Sequence, residues 1–339
     1  MEKMKAAIYL GRKQVEVREL PLPECGGNDV LIKNIYSSIC GTDVAVYQHG
    51  ANTGHRIAVG GEFGHETVSR VAAVGKNVTE FQIGERVYPY PRYAKNDTRR
   101  AGTIGGFSEY ILVPQAKKNY SLYDVPEHIS DRLACLIEPF TVGCRAARRG
   151  QPKPGEKAIV FGCGTIGLAA AVALKHFGVE QVMVCDLSDY RLHIAGELGF
   201  DNCNTVKEPM WEKAEEYFGK APALMGDTAD VDIFLDAAGH ESILEDFMAH
   251  GKIESRFVSV AVNNSMRQLD LLHMTYAQKS IIGSGGYFPE DVKDVMDMMA
   301  GGRWNLESII THEFSIDEID KAIRTASDAD HALNVAIRF

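Results

Sequence analysis

Residues 157–186 restrict the fold more than any other segment. They run as an apolar strand over Lys157–Phe161, the turn Gly162-Cys163-Gly164-Thr165-Ile166-Gly167, a helix over Thr165–Phe177 and a second apolar strand over Gln181–Cys185. Two parallel strands need a crossover of this kind. The pattern continues with a helix over Ser188–Leu198 and strands over Val231–Leu235, Arg256–Val262 and Ser280–Gly283. Near-continuous apolar strands separated by helices predict a doubly wound parallel sheet covered on both faces. The stretch Glu208–Asp227 reads as a helix followed by a loop.

The turn itself points to a ligand. Its spacing is GxGxxG, and it directly follows a strand and opens a helix. Gly162 permits the tight turn, Gly164 lets the backbone approach a pyrophosphate, and Gly167 lets helix and strand pack closely. Thr165 and Ile166 open the helix, whose unpaired N–H groups and partial positive charge suit phosphate. Asp186 ends the next strand, 19 residues after Gly167. A carboxylate there would accept a hydrogen bond from a ribose 2′-hydroxyl and repel a 2′-phosphate, so it favours NAD over NADP. Arg191 could face the adenosine or the solvent, and both readings stay open.

Residues 1–125 read differently. Short alternating runs at Val15–Arg18, Val30–Tyr36, Glu66–Val74 and Glu85–Tyr88 are broken by Gly, Pro and Asn, which predicts twisted β-structure with long loops. A helix is expected over Ser130–Arg149, with Ser130 as its cap and Gly150 as its stop. After Gly286 we expect one further helix, Pro289–Met299, and a closing strand, Ala332–Phe339. Three pieces carry possible chemistry: Cys40-Gly41-Thr42-Asp43, Gly64-His65-Glu66 and Glu138-Pro139. A catalytic zinc takes three protein ligands and keeps one position open. Cys40, His65 and either Glu66 or Glu138 satisfy this, and a thiolate with an imidazole suits zinc better than magnesium or calcium. Such a metal would polarise an alcohol oxygen so that an alkoxide forms near neutrality. Thr42 could accept the alcohol proton, and Asp43 is placed to orient a ligand imidazole. Taken singly, each of these residues is ordinarily part of a core or a helix end.

In their order, these pieces resemble the zinc-dependent medium-chain dehydrogenases, particularly the polyol, threonine and butanediol branch. The resemblance covers essentially the whole chain: CGTD from Cys40, GHExxxxVxxVG from Gly64 to Gly75, GERV from Gly84, GGFSEY from Gly105, EPFTVG from Glu138, GCGTIG from Gly162 and GSGGYFPEDV from Gly283. It implies a discontinuous GroES-like β-rich catalytic zinc domain over 1–149 and 286–339, and a Rossmann NAD-binding domain over 150–285. It implies a zinc held by Cys40, His65 and Glu138, with Glu66 as an alternate or water-linked ligand. Glu138 points to the polyol side of the family, since the alcohol branch has Cys there. It also implies a homodimer or homotetramer.

The departures cluster around the substrate pocket. Relatives often carry a structural zinc on four closely spaced Cys, whereas Pro89–Thr103 contains none, so one catalytic zinc and no structural zinc is expected. That stretch instead holds Arg92, Lys95, Arg99 and Arg100, either a solvated face or a loop that attracts an anionic substrate. A His that often completes the proton relay is Ala45 here, leaving His49 or water to finish it. Ser69 replaces the last Gly of GHExxG, Arg145 a His after the EP motif, and Gly286 an Arg, with Tyr287 beside it as a possible substrate contact.

Net charge narrows the partners. With 36 Lys plus Arg against 46 Asp plus Glu, the formal charge is −10, which argues against nucleic acid or an anionic membrane as the main partner. No stretch approaches the length of a membrane-spanning helix, and the first residues lack a secretory signal core. With seven Cys and no CxxC, a disulfide framework is not expected, and the cytoplasm is the expected compartment. The combined expectation is an NAD- and zinc-dependent oxidoreductase that takes a hydride from a secondary alcohol of a polyol, sugar or sugar acid. The alternatives are a threonine or butanediol dehydrogenase of the same family, a metal-free quinone-reductase-like member, and a non-catalytic NAD sensor.

Overall fold

A computed structural model describes residues 2–53, 56–94, 104–263 and 265–339. The chain divides into two units, Met1–Glu138 with Met299–Phe339, and Pro139–Met298. These borders fall inside helices. The expected borders stand at 149/150 and 285/286, so this division places Pro139–Arg149 and Gly286–Met298 in the second unit instead.

The first unit is built on strands. In chain order it holds β1 (Lys3–Gly11), β2 (Gln14–Pro21), β3 (Val30–Ser38), helix α1 (Gly41–His49), β4 (Gly61–Glu62), β5 (Glu66–Val74), β6 (Arg86–Pro89), β7 (Tyr110–Val113), β8 (Leu122–Asp124) and helix α2 (Asp131–Ala134). One sheet has the order β2-β1-β4. In the larger sheet β3 pairs antiparallel with β5 and with β7, and β5-β6-β8 continue outward. Alternating side chains feed two apolar clusters, one around Phe63 and Phe107 and one around Ile32 and Val87. Helix α1 was not expected in this β-rich stretch. Its cap explains it, as described below.

The helix expected over Ser130–Arg149 is in fact two. Ser130 Oγ caps α2 as expected, accepting from Leu133 N–H at 3.0 Å. The chain then breaks at Cys135–Leu136 and restarts as α3 (Ile137–Arg149). Pro139 is the physical reason. It has no N–H for the carbonyl four residues back, and its ring crowds that carbonyl, but it is tolerated in a first turn. Glu138 therefore stands in the first turn of a new helix.

The second unit is the expected parallel sheet. It contains β9 (Lys157–Phe161), α4 (Thr165–His176), β10 (Gln181–Asp186), α5 (Asp189–Glu197), β11 (Asp201–Asn204), α6 (Met210–Phe218), β12 (Lys220–Pro222), β13 (Asp227–Ala229), β14 (Ile233–Asp236), α7 (Glu241–His250), β15 (Arg256–Ser259), α8 (Leu271–Ala277), β16 (Ser280–Gly283) and α9 (Pro289–Ala300). The six main strands run β11-β10-β9-β14-β15-β16, and every pairing is parallel. This is the doubly wound order, in which ligands bind where the order reverses, between β9 and β14. Two expectations need correction. The stretch after α6 is a small antiparallel pair, β12 with β13, rather than a loop. The strand expected to reach Val262 stops at Ser259, because Val260 and Ala261 both turn their N–H groups to the Asp236 carbonyl.

The chain then returns to the first unit with β17 (Ile310–Ser315), α10 (Ile319–Ala326) and β18 (Asn334–Arg338). Of these only the last strand was expected. β18 joins β3 antiparallel and extends the larger sheet. No described helix is long and apolar enough to cross a membrane.

Candidate active site

Cys40 follows β3 and is the N-cap of α1. Its Sγ accepts from the Thr42 N–H at 3.5 Å and from the Thr42 hydroxyl at 3.1 Å. Asp43 Oδ2 accepts from the Cys40 N–H at 3.1 Å. The CGTD segment is thus a capping box with sulfur in place of the usual cap hydroxyl. This local economy starts a helix in a β-rich region and fixes the sulfur at the helix N-terminus.

Glu66 opens β5 and His65 directly precedes it, just after a tight glycine turn. Gly64 has φ +89°, and a Cβ on it would lie 2.8 Å from the Phe107 ring. Only glycine fits there. Asp43, fully buried, faces the imidazole, with Oδ1 3.8 Å from His65 Nδ1. Glu66 is buried opposite Ser38, its partner across the β3–β5 ladder, and Oε2 accepts from the Ser38 hydroxyl.

These residues converge. One donor atom from each of Cys40, His65 and Glu66 lies within 4.8 Å of the other two. Among the described residues this is the one group of three or more His, Cys, Asp or Glu side chains to do so. Glu138 stands outside that group but close enough for its charge to act on all three.

The electrostatics test whether a metal fits. Burial, and then the charge of Asp43, pushes the Cys40 thiol up to about 12. Burial, and then Cys40, pushes Glu66 well above the ordinary carboxylate range. Burial alone would lower His65, but Asp43, Glu138 and Glu66 outweigh it and raise its pKa. Packed anionic donors thus hold protons that they would surrender to a cation, because a bound dication reverses this order and leaves a thiolate, a carboxylate and a neutral imidazole. The donor set suits zinc.

Other expected residues are less central. His49 is exposed and ends α1. Seven residues of helical rise put it about 10 Å along the axis from Thr42, so direct proton transfer between them is not available. Tyr287 is buried in the second unit, 5% exposed. Of the basic stretch, Arg92 is described, whereas Lys95, Arg99 and Arg100 lie outside the described residues. Ser38 and Tyr90 were not singled out in the sequence. Ser38 reaches Glu66 only through strand register, which leaves no local signature.

The glycine turn in the second unit takes the shape its spacing demands. Gly162 has φ +96°, and a Cβ on Gly167 would lie 1.8 Å from the Gly162 carbonyl oxygen. Gly164 caps α4 with open space around it, the nearest atom being Arg191 Nη1 at 3.9 Å from a would-be Cβ. Thr165 and Ile166 form the first turn of α4. Asp186 Oδ2 accepts from Cys163 N–H at 2.6 Å, and Oδ1 accepts from Leu187 and Ser188 N–H at 2.7 and 2.9 Å. A carboxylate offers about four lone-pair positions, so one remains for a further donor. Beside it lies a cavity of about 680 Å³ lined in part by Gly162, Asp186, Val206, Trp211 and Ser242.

Comparison with known proteins agrees with this anatomy. Residues 26–127 match the alcohol dehydrogenase GroES-like domain, and residues 165–301 match the zinc-binding dehydrogenase domain. The L-threonine 3-dehydrogenase of Escherichia coli K12 is 30% identical over 338 residues, covering 94% of this chain and 95% of that protein. The solved structure of a short chain alcohol dehydrogenase from E. coli CFT073 with NADH is 26% identical, with a TM-score of 0.84 and full coverage of both chains. The 2R,3R-butanediol dehydrogenase of Bacillus subtilis shares the fold at a TM-score of 0.85 and 24% identity, covering 99% of each chain.

Proposed function

The chain belongs to the zinc-binding dehydrogenases with a GroES-like alcohol dehydrogenase domain, and from that premise we propose that it moves a hydride between NAD and a secondary alcohol of the polyol, sugar or sugar-acid type. The convergence of Cys40, His65 and Glu66 beside the Thr42 hydroxyl is the observation that carries this reading. These three residues would hold one catalytic zinc, with Glu138 as the neighbouring carboxylate that can exchange with Glu66. When bound, zinc supplies a Lewis acid that makes an alcohol proton easier to lose, and NAD supplies the hydride acceptor.

The chain's own residues do the rest. Asp43 keeps the imidazole oriented while it caps α1. The Thr42 hydroxyl can accept the substrate proton as it gives up its own. With Ala45 in the position that a relay His often takes, water carries that proton onward. Gly162, Gly164, Gly167 and the first turn of α4 receive the pyrophosphate, and Asp186 selects NAD over NADP by charge. L-threonine is a second substrate reading, favoured by the 30% identity to a threonine dehydrogenase.

We further propose a homodimer or homotetramer acting in the cytoplasm. β16 is a sheet edge, and Leu271, Leu272 and Tyr276 on the preceding α8 are 70%, 67% and 66% exposed. Apolar exposure of this kind beside an open strand edge suits burial against another copy, which light scattering of the purified protein reads directly.

The deciding experiment measures zinc content and NADH formation together, across polyols, sugar acids and L-threonine. We expect one zinc per chain, and Cys40→Ser is expected to lose it and cut turnover by roughly 100-fold or more. Full zinc content and full turnover in Cys40→Ser would overturn the metal assignment.

A further inference from the structure

Helix α7 sends its side chains in three directions. Ile243 and Phe247, four residues apart, are buried in the core of the second unit. Ser242 and Asp246, also four apart, lie on the neighbouring stripe of the helix. Both line the cavity of about 680 Å³ that Gly162 and Asp186 also line. Glu241 and Glu245 are exposed and line a separate groove with Arg267 and His273. Asp246 is thus the one carboxylate of α7 that shares a cavity with the glycine turn and Asp186.

The wall around Asp246 is fixed. Trp211, in the first turn of α6, lines the same cavity. Its ring stacks on His250 at the end of α7, with centroids 4.1 Å apart and planes 15° from parallel. Burial pushes the Asp246 carboxyl above its ordinary range, while His250 and the Trp211 indole pull it down. Among the described residues, no Lys or Arg lines this cavity. An ionised carboxylate only accepts hydrogen bonds and has about four positions at which to do so. Asp246 therefore offers acceptor capacity to whatever donor the cavity admits.

The covalent order of groups in NAD says which donor arrives. The glycine turn receives the pyrophosphate and Asp186 a ribose hydroxyl, so the base on that ribose enters the rest of the cavity. The faces of a purine are apolar, as are Leu187, Val206 and Trp211 along the wall, and its polar atoms lie on its edge. In adenine that edge carries an amino group at C6, a donor that a carboxylate accepts. In hypoxanthine the same position is a carbonyl oxygen, which a carboxylate repels. We propose that Asp246 accepts a hydrogen bond from the 6-amino group of the cofactor's adenine and so makes this site select a 6-amino over a 6-oxo purine dinucleotide. The proposal rests on the NAD reading above.

The test titrates NADH and its deaminated analogue, reduced nicotinamide hypoxanthine dinucleotide, into the purified full chain by calorimetry. Wild type, Asp246→Asn and Asp246→Ala are compared by the ratio of the two Kd values. Wild type should bind NADH about tenfold or more tightly than the analogue, the worth of one hydrogen bond to a charged group. Asp246→Asn can turn its amide N–H groups toward a 6-oxo base, so its ratio should fall to one or reverse. Asp246→Ala should fall to near one. A wild-type ratio within twofold of one overturns the proposal. So do variants that weaken both ligands equally, which is what a merely structural role would produce. If neither dinucleotide binds wild type, the NAD reading falls, and AMP against IMP then decides on Asp246. A preference for AMP that Asp246→Asn abolishes supports the amino-group contact, and equal or absent binding of the two refutes it.

Discussion

Gly167→Ala and Gly164→Ala separate two jobs that one glycine motif performs. At Gly167 a Cβ would stand 1.8 Å from the Gly162 carbonyl oxygen and 2.9 Å from its carbon. Ordinary contact begins near 3.4 Å, so helix α4 must retreat from the turn by about 1.6 Å. The obstacle is backbone, which cannot rotate away. Overpacking of this kind costs about 1–3 kcal/mol and at times more, and the depth of the overlap places this case at about 3 kcal/mol. At Gly164 the only neighbour is a guanidinium tip at 3.9 Å and φ is −79°, so alanine costs less than about 1 kcal/mol, chiefly as a poorer cap. Its methyl would instead occupy the space through which a pyrophosphate approaches. The assay is urea unfolding followed by Trp211 fluorescence in a Trp304→Phe background, so that the signal comes from the second unit alone. NADH binding is titrated on the same samples. We expect Gly167→Ala to lose about 3 kcal/mol, and Gly164→Ala to unfold near wild type while binding NADH at least about tenfold more weakly. Equal destabilisation of the two variants, or a wild-type midpoint for Gly167→Ala, would refute the reasoning.

Two further outcomes follow from single contacts. Ser38→Ala removes the hydroxyl that Glu66 accepts from; hydrogen bonds one step out from a metal are worth about 10–100-fold in affinity, so zinc should bind at least about tenfold more weakly, measured by competition with a chelator. Unchanged zinc affinity would show that Ser38 does not support Glu66. Lys279 is 6% exposed, its ammonium donates to the Phe247 and Met248 carbonyls, and burial brings its pKa down to about 8 from the ordinary 10.5. The unfolded chain therefore holds more protons between those values, and this group's contribution to stability rises as pH climbs through that window. At about 1.4 kcal/mol per pH unit, the rise is about 3 kcal/mol. Lys279→Met should lack it, so the two stability curves converge or cross between pH 8 and 10.5, whereas parallel curves count against the burial argument.

The sequence by itself determined the second unit. Apolar strands, helices and a glycine turn repeat on a scale of a few residues, and each glycine answers a local need that can be read in place, namely a positive φ at Gly162 and a close approach at Gly167. The same locality made Cys40, His65 and Glu66 visible as candidate ligands. Only the tertiary structure decided which carboxylate joins the thiol and imidazole within 4.8 Å, and it chose Glu66. Strand register is the physical reason. The β3–β5 ladder carries two irregularities, between Leu31 and Ile32 and between Asn34 and Tyr36. The first passes over Ala72 on β5 and the second over Ile35 on β3, so they cancel and return Ser38 to a place opposite Glu66. A single slip would turn each side chain to the other face, and no stretch of sequence announces that two bulges will compensate.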